Sequence, residues 1–308
     1  MRIAVLGAGA MGLLFGGLLS RKNDVCIYGH RAEKVEEIKK NGVIIRENDG
    51  TELHLFPRAA VSGEDLREIP DVVMLFTKSL VSREVLEQNR GLIGPDTLLL
   101  TLQNGSGHEE LLREFVEESR IVIGTTRHNS VLTGNTSVLH GGSGVTSIGS
   151  AHARNTLVYI LAEEMSACGI ETSISEDIRR FIWDKLFVNT SVSVVSGILQ
   201  VPQGYLLDNP HAWSLVERLA REAVETARSE GFVFKPEKVL EGLHSLLEGA
   251  RNGYPSIYAD LRDGRKTEVD AISGSIVRTG HKNGIPVPSH EMVVELIHAM
   301  EGKTGQTV

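Results

Sequence analysis

The chain has 308 residues, which is enough for about two domains of ordinary size and a large core. Its formal net charge is -8, from 40 acidic and 32 basic side chains, and no long basic run occurs. This charge argues against general affinity for nucleic acid or an anionic membrane surface. No apolar stretch of about 18 residues is free of glycine and charge, so we expect no membrane-spanning helix. A small-molecule partner is favoured.

The cysteines and histidines predict neither a disulfide nor a metal site. Cys26 lies in an apolar stretch and Cys168 near the end of a predicted helix, as buried thiols of a reducing compartment do. The 11 histidines include no H-x-x-x-H pair and no Cys/His spacing typical of zinc ligands. We therefore expect no metal and a cytoplasmic protein.

The chain begins with a predicted strand at Arg2–Leu6, a helix at Met11–Ser20 and a strand at Asp24–Tyr28. A glycine-rich run, GAGAMG, stands between the first strand and the helix. Three interpretations compete: a dinucleotide-binding turn, an apolar signal segment, and a plain turn between core elements. No spaced cationic region or small-residue cleavage site is present, which disfavours the signal segment.

The strand before this run and the helix after it favour the dinucleotide. Gly7 would allow the tight turn, Gly9 the approach of a pyrophosphate to backbone N–H groups, and Gly12 close contact between helix and strand. The predicted cofactor-binding residues of the turn are Gly7, Ala8, Gly9, Ala10, Met11 and Gly12.

Strands and helices continue to alternate up to about residue 175, which predicts an α/β fold with a doubly wound, Rossmann-type sheet. A predicted hairpin at 42–56 turns at Asp49-Gly50. Further strands are predicted at 71–76, 97–101, 120–124 and 170–174, and helices at 32–40, 82–88, 108–115 and 157–168. The Gly-, Ser- and Thr-rich stretch at 124–150 is expected to add short antiparallel strands on the sheet edge.

Beyond residue 175 the pattern changes to long helices, predicted at 176–195, 212–230 and 267–279. We therefore expect a cofactor-binding domain at 1–175 and an all-helical, substrate-binding domain at 176–308, joined without a linker and forming a cleft. An apolar helix at 292–300 suits a homodimer as well as a monomer's core, and residues 302–308 are expected to fray.

The end of the second strand indicates which dinucleotide is bound. NAD-binding folds commonly place an Asp or Glu there, about twenty residues after the glycine run, to bind the ribose hydroxyls. Here the residues are Tyr28-Gly29-His30-Arg31, with no acid. The Arg31 guanidinium matches a 2′-phosphate, with His30 beside it as a second donor, so NADP is predicted. Alternatively, Arg31 is a solvated residue at a helix start.

Polar residues follow two of the predicted strands. Lys78 comes just after the strand at 71–76, and Asn104 just after the strand at 97–101. Ligands of such sheets bind at the carboxyl ends of strands, although both residues can equally be solvated loop residues.

A third polar set lies in the predicted helix FIWDKLFVNTSVS. Lys185, Asn189 and Ser193 are four residues apart and so share one helix face. Partial burial there would lower the pKa of the lysine and favour proton donation near neutrality. Alternatively, Lys185 reaches solvent or pairs with Asp184 or Glu176.

A fourth set lies in PSIYADLRDGRKTEVDAISG. Thr267 followed by Asp270 resembles a capping box, which would place Glu268 in the first turn of a helix. Ser256 follows Pro255 and suits an N-cap. These structural roles explain both residues without chemistry.

Taken together, the motifs resemble those of the ketopantoate reductase family, also called 2-dehydropantoate 2-reductase. They follow the family's order over nearly the whole chain: GAGAMG, Lys78, Q-N-G around Asn104, W-x-K-L-x-x-N from Trp183 to Asn189, and S-x-x-x-D from Ser256 ahead of T-E-V-D-x-I-x-G. The resemblance implies NADPH-dependent reduction of the ketone of 2-dehydropantoate to pantoate, a step of pantothenate and coenzyme A biosynthesis.

The resemblance also implies roles for individual residues. Lys185 would be the general acid and Glu268 would hold the substrate hydroxyl. The implied substrate-binding residues are Asn104, Asn189, Ser193, Ser256 and Asp260, while Lys78, Asn104 and Glu268 would also border the cofactor. Ser193-Val194 departs from the family, in which a second asparagine and a proline are common, and this difference concerns the identity of the substrate more than the reaction.

Two other functions stay open on these residues. One is another NAD(P)-dependent 2- or 3-hydroxyacid or opine dehydrogenase with the same layout. The other is a redox sensor that binds NADPH without turnover, which would not require Lys185 or Glu268.

Overall fold

A computed structural model describes residues 1–61, 69–150 and 155–301. The chain divides into two compact units. The first contains Met1–Gln103 and His108–Phe181, and the second contains Asn104–Gly107 and the residues from Ile182 onward. The assignment of cofactor binding to 1–175 and of substrate binding to 176–308 stays a prediction, and the expected frayed end at 302–308 lies outside the described residues.

The first unit is built mainly of strands. They are β1 (Arg2–Leu6), β2 (Asp24–Tyr28), β3 (Val43–Glu47), β4 (Glu52–Leu55), β5 (Arg58–Ala60), β6 (Val72–Leu75), β7 (Leu98–Thr101), β8 (Ile121–Thr126), β9 (Asn129–Leu132), β10 (Ser137–Gly142), β11 (Thr146–Ser150) and β12 (Thr172–Ile174). Its helices are α1 (Ala10–Leu19), α2 (Ala32–Asn41), α3 (Ser82–Gln88), α4 (His108–Leu112), which is shorter than predicted, and α5 (Thr156–Ala167).

An eight-stranded sheet has the order β12-β11-β8-β7-β6-β1-β2-β5. Strands β5, β2, β1, β6, β7 and β8 are parallel neighbours, which is the strand order of a doubly wound dinucleotide-binding fold. The Rossmann-type prediction is therefore confirmed. The order reverses between β1 and β6, and ligands of such sheets bind at this reversal. Both strands are almost entirely buried, which explains their continuous apolar sequence.

The stretch at 124–150 does not form the sheet edge as predicted. β9 and β10 belong to a separate four-stranded sheet of order β4-β3-β10-β9, while β11 lies inside the large sheet between β8 and β12. Alternating apolar residues predict half-buried strands but not their pairing partners, because the same alternation serves any sheet with one covered face. The predicted hairpin of β3 and β4 is confirmed, with Gly50 at positive φ in its turn.

The core of the first unit lies around α1, which packs against both sheets. Leu13, Leu14 and Phe15 are fully buried in it. Cys26 and Cys168 are buried thiols, as predicted.

In the second unit, the secondary structure of the described residues is helical. The helices are α6 (Ile178–Phe187), which begins in the first unit, α7 (Val194–Leu199), α8 (Tyr205–Asp208), α9 (Pro210–Ser229), α10 (Pro236–Gly249), α11 (Ser256–Arg262), α12 (Ser273–Asn283) and α13 (Pro288–Glu301). The long helix α9 is central. Asn209 caps it by accepting hydrogen bonds from the backbone of His211 and Ala212, and its small buried residues let other helices approach closely.

The predicted continuous helix at 176–195 is wrong in one respect. α6 ends at Phe187, a π-helical segment covers Val188–Ser193, and α7 follows. The Ser191 hydroxyl donates a hydrogen bond of 2.6 Å to the Phe187 carbonyl. Such side-chain bonds to the helix backbone, together with β-branched neighbours, favour a local departure from α geometry.

Candidate active site

The glycine turn after β1 has the geometry expected of a dinucleotide-binding loop. Gly7 has φ +114°, and a Cβ on it would lie 2.9 Å from the backbone carbonyl of Phe76, which follows β6. A Cβ on Gly12 would lie 1.8 Å from the carbonyl oxygen of Gly7. Both positions therefore require glycine, and the turn lies where the strand order reverses.

Gly9 differs from these two glycines because a Cβ on it would meet no heavy atom within 4 Å. It is the N-cap residue of α1 and offers no side-chain cap. The first N–H groups of an α-helix such as α1 have no partner within the helix. Backbone donors at a helix N-terminus bind phosphate groups, so the turn fits a dinucleotide pyrophosphate.

Two cations stand at the start of α2, after the end of β2. Arg31 is exposed and is the N-cap residue of α2. Lys34, which the sequence analysis did not single out, is only 6% exposed. Burial, followed by the nearby Arg31 charge, lowers the pKa of Lys34. Two cations held together at a helix N-terminus favour an anionic ligand.

Lys78 is exposed and follows β6 at the start of a single 3-10 turn. The neighbouring strand end is tied to this loop by Gln103, a second residue that the sequence analysis missed. Its amide nitrogen donates to the Thr77 carbonyl at 2.6 Å and to the Ser82 hydroxyl at 2.8 Å. These hydrogen bonds hold the loop that carries Lys78. The backbone of Thr77 in this loop also lies beside Gly7 of the glycine turn.

In the second unit, the structure brings Lys185 and Glu268 together with Asn104. The Asn104 amide nitrogen lies 3.3 Å from Oε2 of Glu268. Burial lowers the pKa of the Lys185 ammonium to about 8, although the negative charge of Glu268 acts in the opposite direction. The predicted effect of burial on Lys185 is thus present in the folded chain.

The π-helical segment carries the next two polar residues. The Ser193 hydroxyl lies 3.5 Å from Oδ1 of Asn189, and Ser193 is buried. Helix α11, which begins with Ser256, packs against this segment and α7. Asp260 is buried on α11 and accepts a hydrogen bond of 2.9 Å from Nε of Arg265.

The predicted N-cap role of Ser256 is wrong. Pro255 is the N-cap residue, and Ser256 is the exposed first residue of α11 without a capping hydrogen bond. The proline places the preceding chain in extended conformation, so the helix begins one residue earlier than the pattern indicated.

The predicted helix start at Thr267 is also wrong, because α12 begins at Ser273. Residues 267–272 form a non-helical turn, in which the backbone N–H groups of Ala271 and Ile272 both donate to the Glu268 carbonyl at 3.0 Å. We call residues 267–272 the Glu268 turn. The Thr267 hydroxyl accepts from the Val269 N–H at 3.2 Å.

Tertiary contacts hold the Glu268 turn in this shape. The Ser106 N–H donates to the Ala271 carbonyl at 3.0 Å, and a Cβ on Gly105 would lie 2.1 Å from the same oxygen. On the other side, the Thr267 N–H and hydroxyl donate to Oε1 of Glu301. A capping pattern takes account only of residues that are close in sequence, and these partners are distant. The helix start at Thr267 was predicted wrongly for this reason.

Within residues 1–61, 69–150 and 155–301, no group of three or more His, Cys, Asp or Glu side chains is arranged to hold a metal ion. The helices described there also include none with the length and apolar character needed to cross a membrane.

Comparison with known proteins gives a consistent family. The model of the ketopantoate reductase PanE/ApbA family matches residues 3–153, and the model of its C-terminal domain matches residues 177–301. The 2-dehydropantoate 2-reductase of Pyrococcus horikoshii is 31% identical over 307 residues, covering 99% of each chain.

Solved structures of similar proteins have the same fold. D-mandelate dehydrogenase, in a ternary structure with NADH and anilino(oxo)acetate, superposes with a TM-score of 0.91 at 31% identity, covering 98% of this chain and 99% of that one. The PanE/ApbA family ketopantoate reductase of Ralstonia eutropha gives a TM-score of 0.90 at 26% identity, covering 99% and 100%. The chain therefore belongs to the ketopantoate reductase family.

Proposed function

We propose that this protein reduces the ketone of a 2-oxo acid with NADPH, with 2-dehydropantoate as substrate and pantoate as product, in pantothenate and coenzyme A biosynthesis. The observation that carries the proposal is the half-buried Lys185, which lies near the charge of Glu268 and whose pKa burial lowers to about 8. The proposal includes a cytoplasmic location and a monomeric or homodimeric state.

Residues of the first unit would hold the dinucleotide. The N–H groups at the start of α1, from Ala10 to Gly12, would bind the pyrophosphate in the open space above Gly9. Lys78 would stand toward the nicotinamide end. When bound, the nicotinamide supplies the hydride, and the protein supplies binding, orientation and the proton.

Lys185 would donate that proton. As the ketone carbon accepts hydride, negative charge develops on its oxygen, and the Lys185 ammonium donates N–H to this oxygen and then transfers a proton, leaving a neutral amine that water reprotonates. With a pKa of about 8, roughly nine-tenths of the lysine is still charged at pH 7. Burial thus makes the ammonium a stronger acid without discharging it at neutral pH.

The remaining polar residues would bind the substrate. Glu268, held by the Asn104 amide, would accept a hydrogen bond from the substrate hydroxyl. Asn189, Ser193 and Ser256 offer donors to the substrate carboxylate. Asp260 would complete the polar shell.

The preference for NADPH rests on Arg31 and Lys34. Two cations match the charge of a 2′-phosphate, and no acidic side chain occurs at 28–31 to bind the 2′-hydroxyl of NAD. A second candidate function is NADH-dependent conversion of another 2-oxo acid. The similarity to D-mandelate dehydrogenase with NADH favours it, as does Ser193, which is shorter than the usual asparagine.

The decisive experiment measures NADPH and NADH oxidation with ketopantoate and with a panel of smaller, larger and aryl 2-oxo acids. The variants are Lys185→Met and, as a matched control, Lys282→Met at an exposed lysine of α12. We expect Lys185→Met to lower kcat by about 10²- to 10⁴-fold with NADPH affinity nearly unchanged, and the control to leave both unchanged. Equal rates in both variants would exclude Lys185 as the proton donor. NADPH binding without turnover of any acid would favour the redox sensor.

A further inference from the structure

The Glu268 turn is fastened to α13 by a ring of hydrogen bonds that passes through His298. The Thr267 N–H and hydroxyl donate to Oε1 of Glu301 at 2.8 and 2.7 Å. His298 Nδ1 lies 3.2 Å from Oε2 of Glu301, and its Nε2 lies 3.0 Å from Oδ1 of Asp270. The ring therefore binds the turn at Thr267 and at Asp270, on both sides of Glu268 in the sequence.

The two partners of His298 define its protonation state. The ionised carboxylates of Glu301 and Asp270 only accept, so the imidazole satisfies both by donating from both nitrogens, as an imidazolium. Partial burial opposes this charge, but the hydrogen bonds to Glu301 and Asp270 outweigh it and raise the pKa of His298. Among the described residues these two carboxylates face His298, and Arg278 of α12 binds the Asp270 carbonyl.

Glu301 is held as an anion by the same ring. Its burial acts against ionisation, but hydrogen bonds from Thr267 and His298 keep its pKa lowered. The Glu301 carboxylate thus links Thr267, at the start of the Glu268 turn, to the imidazolium of His298. His298 also links to Asp270. Loss of the imidazolium would leave Asp270 without this donor and would release one end of the turn.

We propose that His298 is a positioning residue, whose imidazolium clamps the Glu268 turn to α13 and so fixes the Glu268 carboxylate beside Asn104 and Lys185. The proposal deepens the proposed function, on which the catalytic meaning of Lys185 and Glu268 rests. His298 does not itself need to touch substrate. It acts through the turn, because Glu268 lies between the two clamped residues Thr267 and Asp270.

The physical consequence can be measured at Lys185. The charge of Glu268 raises the pKa of Lys185 against the effect of burial. If the clamp is released and Glu268 moves away, that support weakens and Lys185 titrates at lower pH. A general loss of stability does not have this effect on one lysine in the folded protein.

The experiment compares His298→Ala and His298→Gln with His281→Ala as the matched control. His281 of α12 pairs with Glu291 of α13 at 2.6 Å, so the control removes an exposed His–carboxylate pair that does not involve the Glu268 turn. The pKa of Lys185 is read by NMR of the full chain with 13Cε-labelled lysine, and Lys185→Met identifies its signal. We expect His298→Ala to lower this pKa by about half a unit or more and His281→Ala to leave it unchanged. Glutamine keeps N–H donors without charge, so His298→Gln should lie between His298→Ala and the unaltered chain.

Turnover gives a second readout for whichever 2-oxo acid is reduced. We expect His298→Ala to shift the alkaline limb of the kcat/KM profile to lower pH and to raise KM for the acid about fivefold, with NADPH affinity unchanged. The NMR titration needs no turnover, so a chain that reduces no 2-oxo acid would refute the proposed function and still test the clamp. If Lys185 titrates at the same pH in His298→Ala, His298→Gln and His281→Ala, the clamp is refuted. If His298→Ala does not fold, the comparison of His298→Gln with the control decides.

Discussion

The side-chain amide of Asn104 lies 3.3 Å from a carboxylate oxygen of Glu268, although 164 residues separate them in the chain. The same carboxylate lies close enough to Lys185 to oppose the effect of burial on its pKa. A lysine buried without a counter-charge would titrate at still lower pH. The pKa of about 8 thus reflects two opposing influences, burial and Glu268.

Replacement of this carboxylate tests the balance. We expect Glu268→Gln to lower the pKa of Lys185 below about 8, because burial then acts without the opposing charge. Lys185 would be deprotonated nearer neutrality, and activity that needs the ammonium would be lost at lower pH than in the unaltered chain. The pH dependence of kcat/KM measures the shift. Glu295→Gln, at an exposed position on α13, is the control and should leave the alkaline limb in place.

The glycine turn gives a prediction that separates binding from folding. Gly9→Ala should fold normally, because φ is -78° and the added Cβ meets nothing within 4 Å. The methyl group would occupy the approach of the pyrophosphate, so we expect NADPH affinity to fall by about tenfold or more, equivalent to about 1.4 kcal/mol. Fluorescence titration with NADPH and circular dichroism measure the two properties.

Two further glycines serve as references for that experiment. Gly91→Ala also meets no atom within 4 Å and lies outside the turn, so affinity should be unchanged. Gly12→Ala places a Cβ 1.8 Å from the Gly7 carbonyl oxygen and should lower the stability of the first unit. Unchanged NADPH affinity in Gly9→Ala would contradict a pyrophosphate at this position.

Cofactor preference should depend on Arg31 and Lys34. A charge-assisted hydrogen bond contributes about 1.5–3 kcal/mol, so Arg31→Gln should raise KM for NADPH by about 10- to 100-fold and leave KM for NADH nearly unchanged. Lys34→Met should act in the same direction. Lys40→Met, in the last turn of α2, is the matched control. An equal rise of both KM values would indicate that Arg31 does not contact the 2′-phosphate.

His290 predicts how the second unit responds to acid. Burial lowers the pKa of His290 to about 4, whereas an unfolded histidine titrates near 6.5. Between these values the unfolded state binds the extra proton, so the free energy of unfolding decreases as pH falls from about 6.5 to about 4, by up to about 3 kcal/mol. Above about pH 6.5 His290 is neutral in both the folded and the unfolded state, so its protonation no longer lowers the free energy of unfolding.

Urea unfolding followed by tryptophan fluorescence measures this effect, because both tryptophans, Trp183 and Trp213, lie in the second unit. We expect His290→Gln to show a smaller loss of stability between pH 7 and pH 5 than the unaltered chain does. The control His211→Gln, at an exposed position, should lose as much stability between pH 7 and pH 5 as the unaltered chain does. An identical decrease in all three would mean that other groups cause the acid sensitivity.

Local pattern was a sound guide to the first unit and a weaker one to the second. The strand, glycine turn and helix at 2–20 were predictable because each glycine and each apolar run acts within a few residues. The helix start at Thr267 was predicted wrongly, since its hydroxyl and N–H bind Glu301, 34 residues away. The pairing of β10 with β3 in the first unit depended in the same way on a partner distant in the chain.

The sequence by itself determined the α/β character of the first unit, the glycine turn, the helical second unit and the set of polar residues that identifies the family. These depend on side-chain type and short-range spacing, which the chain carries directly. Only the tertiary structure decided that Asn104 bonds Glu268, that burial lowers the pKa of Lys185, and that Glu301 and His298 hydrogen-bond to Thr267 and Asp270 of the Glu268 turn. Burial and long-range hydrogen bonds exist only once the chain has folded, because water and distance separate the same groups in the unfolded state.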